Sequence, residues 1–133
     1  MIHTQDLPHG QLPGSLELAY LGDTVYDLYV RRRLVVTGGR MKDLHRAAVS
    51  QVRASAQSEA LTRIEAILTE EEQGVVRRAR NAKQSVPKSA TPGEYHRATA
   101  FEALLGFLYL LGRYERLEEI LTTANPDKED AHA

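Results

Sequence analysis

The sequence predicts an all-α fold, and three observations lead to that class. Apolar residues recur at helical spacing along most of the chain, and no segment alternates apolar and polar residues long enough to predict a strand. Glycine, proline and capping residues divide this pattern into segments of helix length. The length of 133 residues predicts one domain that buries its own core. The sequence contains no cysteine, which excludes disulfides and thiolate metal sites.

The predicted helices follow from their boundary residues. The first helix runs from Ser15, as its N-cap, to about Val36, because Gly38 follows. Thr69 is predicted as the N-cap of a later helix, with Glu72 at the position that completes a capping box. The remaining predictions are helices at 41–55, 57–67 with a kink near Ser58, 69–81, 93–111 and 114–123, and a loop at 84–92 that contains two prolines.

The domain organisation is predicted as a flexible N-terminal arm at 1–14, one helical domain at 15–123 and a disordered tail at 124–133. The arm and the tail lack helical periodicity. The N-terminus has no basic stretch followed by an apolar run, and no apolar stretch is long enough to span a membrane. The chain is therefore expected to be cytoplasmic, with no membrane partner. The five histidines are scattered, which argues against a histidine-bound zinc ion.

The formal net charge of -1 conceals two basic segments. Residues 31–46 contain six basic residues and one acid, and so do residues 77–97. The acids collect at 59–72 and near the C-terminus. A near-neutral chain with two basic segments can bind a polyanion through its local field. Either segment taken alone is more simply read as a solvated helix face.

Two carboxylates, Asp23 and Glu102, interrupt helices that are otherwise apolar around most of their circumference. A lone buried carboxylate costs several kcal/mol unless it is paired or binds a cation. A shared divalent cation would satisfy both, and carboxylate oxygens suit Mg²⁺. The alternative is a buried salt bridge in which Arg97 pairs with either acid. The helical periodicity does not decide between a shared cation and a salt bridge.

Glycines accompany both acids, and the first helix is apolar nearly all round. Gly22 and Gly106 cost roughly 1 kcal/mol each relative to alanine inside a helix, and they are tolerated where another backbone comes close. A chain of this size can hardly cover two such helices by itself. The sequence therefore predicts a homodimer in which the first helix packs against its symmetry mate.

The two acidic helices resemble the two signature helices of the ribonuclease III family. Residues 18–25 read Leu-Ala-Tyr-Leu-Gly-Asp-Thr-Val, against a family pattern of Glu-Arg-Leu-Glu-Phe-Leu-Gly-Asp-Ala-Val. Residues 101–110 read Phe-Glu-Ala-Leu-Leu-Gly-Phe-Leu-Tyr-Leu, against Phe-Glu-Ala-Leu-Ile-Gly-Ala-Ile-Tyr-Leu. The resemblance covers residues 15–122. The short length, the Arg-Asn-Ala-Lys stretch at 80–83 and the Pro-Lys pair at 87–88 resemble the Mini-III branch of that family.

The resemblance implies a ribonuclease III-like dimeric helical domain at 15–123 that cleaves double-stranded RNA with Mg²⁺, typically in the maturation of large-subunit ribosomal RNA precursor. It implies Asp23 and Glu102 as catalytic residues and metal ligands. The family has two further acids, and here Ala19 and Thr99 stand at those positions. This departure leaves the number of metal ions open and predicts weak metal binding without RNA.

The RNA contacts are expected at the second basic segment, because the chain has no room for a separate domain that binds double-stranded RNA. Contacts to phosphate would position a duplex and carry little sequence information. A ribosomal protein is a further candidate partner, as a helper. Two rivals remain: a non-catalytic RNA-binding or ribosome-assembly protein on the same fold, and an all-α metal phosphohydrolase that acts on nucleotides. The predicted RNA-binding residues are Arg77, Arg78, Arg80, Lys83 and Lys88.

Overall fold

The computed structural model describes residues 2–126, and within them the chain is helical and contains no strand, which confirms the all-α class. Two short 3-10 turns come first, and six α-helices follow. The turns are Thr4–Asp6 and Pro8–Gly10, and the helices are α1 Ser15–Thr37, α2 Met41–Val52, α3 Ala54–Ile64, α4 Glu70–Arg80, α5 Pro92–Leu110 and α6 Tyr114–Ala124, with a third 3-10 turn at Glu65–Ile67.

The helix boundaries agree with the sequence except at two places. The predicted N-cap of α1 is wrong by one residue: Gly14 occupies that position in extended conformation, and Ser15 is already helical. The predicted helix 41–55 is split at Arg53, whose backbone is extended (φ -69°, ψ 159°), so the chain bends there and not near Ser58. The capping box at Thr69 is confirmed, because the Thr69 hydroxyl accepts from the Glu72 amide and the Glu72 carboxylate accepts from the Thr69 amide.

Helix α5 forms the centre of the domain, with α1, α3 and α4 packed around it. Between Ala98 and Leu108 its residues are buried, with Glu102 as the one partly exposed exception. Tyr26 of α1 packs edge-on against Phe101 of α5, with their ring centroids 5.1 Å apart. A helix that is apolar all round is stable in water only when neighbours cover every side. For α5 this chain supplies those neighbours.

Helices α1 and α5 cross in direct backbone contact. A Cβ atom built on Gly22 would lie 1.7 Å from the carbonyl oxygen of Glu102, and one on Gly106 would lie 1.9 Å from the carbonyl oxygen of Leu18. Real Cβ atoms do not approach other atoms so closely. The prediction that these two glycines admit another backbone is therefore confirmed, and each helix supplies the glycine that the other requires.

A network of ion pairs ties α4 to α6. Arg116 of α6 donates to both carboxylate oxygens of Glu72, at 2.7 and 2.9 Å, and to the carbonyl oxygen of Ile67 at 2.6 Å. Burial alone would raise the pKa of Glu72, but hydrogen bonds from Arg116 and Thr69 bring it below its usual value. The buried carboxylate is thus ionised and fully paired, and this arrangement avoids the cost of an isolated buried charge.

The segments outside the predicted domain also make contacts. In the arm at 1–14, the Ile2 amide donates to the carbonyl oxygen of Leu111 at 2.9 Å, and Leu7 and Leu12 pack against the core. At the other end, the Tyr26 hydroxyl donates to the side-chain oxygen of Asn125 at 3.1 Å. From residue 127 on, the predicted tail lies outside the described residues. Within residues 2–126, no helix is long and apolar enough to cross a membrane.

We expect Gly22→Ala to destabilise the protein by about 3 kcal/mol, because its methyl group would collide with the backbone of α5 and force the two helices apart. Urea unfolding followed by circular dichroism measures this loss. The control is Gly93→Ala, because Gly93 lies in the first turn of α5 and a Cβ there meets no atom within 4 Å. Equal unfolding free energies for the two variants would contradict the close crossing.

Candidate active site

The crossing of α1 and α5 brings Asp23 and Glu102 into one open cleft of about 420 Å³. Asp23 follows Gly22 directly on α1, and Glu102 carries the carbonyl group that Gly22 faces on α5. The backbone contact therefore fixes the distance between the two side chains. The walls come from α1, the junction of α2 and α3, the loop before α5 and the first half of α5: Leu16, Ala19, Tyr20, Asp23, Val52, Ala54, Gln57, Gln84, Tyr95, Ala98, Thr99 and Glu102.

The two carboxyl groups line one cleft, interact electrostatically and differ in their surroundings. Glu102 is partly buried, and burial, together with the hydrogen bond to Asp23 and its charge, raises the pKa of Glu102 to about 8. Asp23 is exposed, although its apolar helix led us to expect burial, because this chain leaves the outer face of α1 uncovered. Two carboxylates this close repel each other, so the metal-free pair retains a proton.

The alternative that Arg97 neutralises one of these acids is wrong. The Arg97 guanidinium lies against α3, where it forms an ion pair with Glu65 at 2.7 Å and donates to the hydroxyl groups of Ser58 and Thr62. The cleft therefore holds two carboxyl groups whose charge this arginine does not balance. Such a pair favours a cation as the missing partner.

The positions where the family has its other two acids also line the cleft. Ala19 supplies no ligand, and the Thr99 hydroxyl is already engaged: it donates to the carbonyl oxygen of Tyr95 at 3.0 Å and accepts from the amide of Gln84 at 2.8 Å. Among residues 2–126, no group of three or more His, Cys, Asp or Glu side chains is placed to hold a metal ion. Two carboxylates fit Mg²⁺, which commonly keeps several waters and takes one or two protein carboxylates.

Two glutamines in the cleft were missed by the sequence reasoning. Gln57 is 3% exposed and interrupts the apolar stripe of α3 that continues through Ala60, Leu61 and Ile64. A polar residue at a core position was the signal that could have identified it. Gln84 reaches the cleft from the loop before α5. No local pattern marks Gln84, because its contact with Thr99 depends on how the loop folds back.

The five predicted RNA-binding residues lie together at the end of α4 and in the loop that follows. All five are exposed, and within residues 2–126 none of them forms an ion pair. Arg77 and Arg80 line a second cleft of about 350 Å³ with Asn81, and the chain then runs to Gln84 in the first cleft. One continuous segment thus connects the unpaired cations with the carboxyl pair.

The first basic segment differs from this one. Arg31 forms an ion pair with Asp27 at 3.1 Å, and Arg32 forms one with Glu118 at 2.9 Å. Arg33 donates to the carbonyl oxygen of Asn125. Arg31 is therefore paired within α1, and Arg32 and Arg33 are engaged with α6 and the residue that follows it, which supports the reading of these three arginines as an ordinary helix face.

The raised pKa of Glu102 predicts that the metal-free protein loses stability as pH rises from 4.5 to about 8. The folded state holds this proton more tightly than the unfolded state, so the stabilisation is complete below 4.5 and is lost as pH passes the folded pKa. Glu102→Gln cannot titrate, so its melting temperature in EDTA should rise relative to wild type across that range. Glu115→Gln, at an exposed acid of α6, should follow the wild-type curve, and parallel curves for all three proteins would refute the shift.

The comparisons with known proteins agree with this geometry. The ribonuclease III domain family matches residues 16–113. A Mini-ribonuclease 3 of Symbiobacterium thermophilum is 54% identical over 111 residues, 82% of this chain and 85% of that protein, and one of a Thermoanaerobacter species is 47% identical over 108 residues, 80% and 76%. A crystal structure of a Fusobacterium nucleatum protein superposes with a TM-score of 0.80 at 33% identity, covering 86% of this chain and 94% of that one. The resemblance to the Mini-III branch is confirmed, and the chain belongs to the ribonuclease III family.

Proposed function

We propose that this protein is a Mg²⁺-dependent endoribonuclease that cleaves double-stranded RNA in the cytoplasm. The observation that carries the proposal is that the carboxyl groups of Asp23 and Glu102, at the two signature positions of the family, lie together in one open cleft. The relatives named Mini-ribonuclease 3 support the same activity. The role in maturing large-subunit ribosomal RNA precursor, and a ribosomal protein as helper, rest on the family resemblance.

Asp23 and Glu102 would hold the metal ion, one from each of the crossing helices. Mg²⁺ bound there would supply an activated water and stabilise negative charge on the phosphate. Glu102 must give up its proton to act as a ligand, so metal binding releases a proton and strengthens as pH rises. Cleavage would leave 5′-phosphate and 3′-hydroxyl ends, as in the family.

Asp23→Asn and Glu102→Gln should each abolish cleavage of a labelled RNA duplex in Mg²⁺, because each removes half of the carboxylate set. Wild type should also be inactive in EDTA. The control is Glu94→Gln, at an exposed acid of α5 that lies outside the cleft wall. Melting curves of all variants establish that they are folded.

The results of this experiment also separate the rival functions. A wild-type protein that retards the duplex without cutting it would favour the non-catalytic RNA-binding protein, for which the replaced acids at Ala19 and Thr99 are the argument. Hydrolysis of nucleotides without cleavage of RNA would favour the phosphohydrolase. Undiminished cleavage by Asp23→Asn would remove this residue from the proposed site.

Replacing Arg78, Arg80 and Lys83 with alanine should weaken duplex binding. Each phosphate contact that is lost should lower the slope of log K against log salt by roughly one unit. The melting temperature should hardly move, since these exposed side chains form no ion pair within the described chain and such substitutions usually change stability by less than about 0.5 kcal/mol.

A charge-matched triple variant provides the control for this measurement. Arg31, Arg32 and Arg63 each pair with an acid of this chain, so their replacement by alanine removes the same charge from cations that are already neutralised. Filter binding at several salt concentrations compares the two triple variants. Equal affinity and equal salt slopes would contradict a specific RNA-binding role for the segment after α4.

We also propose that the protein is a homodimer that packs through α1, with one site in each subunit and the two sites cutting opposite strands. The outer face of α1 leaves Tyr20, Leu28 and Val35 at 81%, 69% and 67% exposure, and helical spacing places them on one stripe. An apolar stripe of this size on a monomer is unusual and is typical of an interface. An obligate interface would bury about 2,000 Å² or more in total.

Sedimentation at micromolar concentration should show a dimer for wild type and a monomer for Leu28→Glu, because the new charge would be buried at the interface. Val49→Glu is the matched control. Val49 is 53% exposed and lies on α2, outside the proposed α1 interface. A monomeric wild-type protein under these conditions would refute the dimer.

A further inference from the structure

The break between α2 and α3 creates an anchor for a buried side chain. Because the backbone of Arg53 is extended, the helical ladder stops there, and the carbonyl group of Val52 receives a hydrogen bond from a side chain. The donor is the amide nitrogen of Gln57, 2.7 Å away. This short bond fixes the position of the Gln57 side chain at the edge of the cleft.

The same amide also reaches the candidate active site. Gln57 and Glu102 line the same cleft, and the Gln57 amide opposes the rise in the pKa of the Glu102 carboxyl. The amide nitrogen is held on Val52, and from there it can offer its second proton to Glu102. The amide cannot be reversed, because its oxygen would then face the carbonyl oxygen of Val52 and neither atom can donate.

This orientation has a cost that packing does not explain. The side-chain oxygen of Gln57 is buried and has no hydrogen-bond partner within the described chain. An unsatisfied buried polar atom costs about 1–3 kcal/mol. Leucine would continue the apolar stripe of α3 without that cost. The Glu102 carboxyl in the same cleft wall gives this position a reason to be polar.

An uncharged hydrogen-bond donor such as the Gln57 amide suits a carboxylate that must bind a metal ion. An arginine or lysine beside Glu102 would neutralise the carboxylate and compete with the metal ion, whereas an amide can hold one side of the carboxylate without adding charge. Groups that hydrogen-bond to metal ligands orient them, and losing such a group typically costs 10–100-fold in metal affinity or activity. With only two carboxylates in the site, the orientation of each one matters more.

We infer that Gln57 is a positioning residue that holds the Glu102 carboxylate in the orientation required for a divalent cation, an inference that rests on the proposed function. Gln57 sets the affinity for the metal ion without touching it. The inference extends the functional set from the two signature helices to the junction of α2 and α3, which neither signature includes.

The test measures Mn²⁺ binding to the RNA-free protein by the loss of the free-ion signal in electron paramagnetic resonance. Gln57→Leu should lower the affinity for Mn²⁺ by about 10–100-fold. It should raise by a similar factor the Mg²⁺ concentration needed for half-maximal cleavage, while the rate at saturating Mg²⁺ recovers towards wild type. If Gln57→Leu does not fold, Gln57→Met provides the same measurement with a more adaptable side chain.

The matched control is Gln73→Leu. The Gln73 amide also donates to a carbonyl oxygen five residues earlier, that of Leu68 at 3.2 Å, but at the start of α4 and outside the wall of the first cleft. Both substitutions remove the same kind of bond, so a structural effect alone should lower both melting temperatures and leave the affinity for Mn²⁺ unchanged in both variants. We expect the affinity to fall in Gln57→Leu and to stay at the wild-type value in Gln73→Leu.

Asp23→Asn separates failure of this inference from failure of the proposed function. If Asp23→Asn binds Mn²⁺ as tightly as wild type, the proposed metal site itself is wrong. If Asp23→Asn loses the ion and the folded Gln57 variants bind it as tightly as wild type, the site stands and the role of Gln57 is refuted. Equal losses of affinity in Gln57→Leu and Gln73→Leu would also refute it.

Discussion

The backbone contact between α1 and α5 is the constraint on which the rest of the structure depends. Gly22 and Gly106 let the two helices approach closely. The carbonyl oxygen of Glu102 on α5 lies against Gly22, and the carbonyl oxygen of Leu18 on α1 lies against Gly106. Side chains at or next to such a crossing have little freedom to separate. Asp23 and Glu102 are therefore held together by the fold, and their mutual repulsion has to be met by a proton or a cation.

The molecule treats its buried acids in two different ways. Glu72, at 2% exposure, accepts hydrogen bonds from Arg116 and the Thr69 amide, and these lower its pKa and use both of its oxygens. Glu102 has a neighbouring acid and one amide, and its pKa is raised to about 8. The first arrangement stabilises the fold. The second arrangement destabilises the fold unless a positive charge completes the site. Carboxyl groups with a strongly shifted pKa in a cleft are typical of functional sites.

The sequence was sufficient for what depends on local pattern. Helical periodicity and capping residues predicted the six helices, the capping box at Thr69 and the close approach at Gly22, because each of these is decided within a few residues. The signature positions singled out Asp23 and Glu102, which line one cleft in the structure. The bend at Arg53 and the contact of Gln84 with Thr99 depend on tertiary packing, so no local sequence pattern predicts them. Gln57 is an intermediate case. The sequence shows a polar residue in the apolar stripe of α3, but it does not show that Glu102 lies in the same cleft wall.

Pairing explains how a chain with a formal net charge of -1 can still present a positive surface. Arg32, Arg97 and Arg116 are each held by a carboxylate of this chain, so their charge is neutralised locally. The cations after α4 lack such partners within residues 2–126, and they sit at a helix C-terminus, where the macrodipole favours positive charge and lowers the cost of clustering it. Several acids of this chain thus neutralise cations that hold the helices together, whereas the five cations at the end of α4 and in the following loop have no ion-pair partner within the described residues and lie on the segment that leads into the cleft at Gln84. Lys83 of that segment directly precedes Gln84, which lines the cleft with Asp23 and Glu102, so the positive charge begins at the edge of the proposed site.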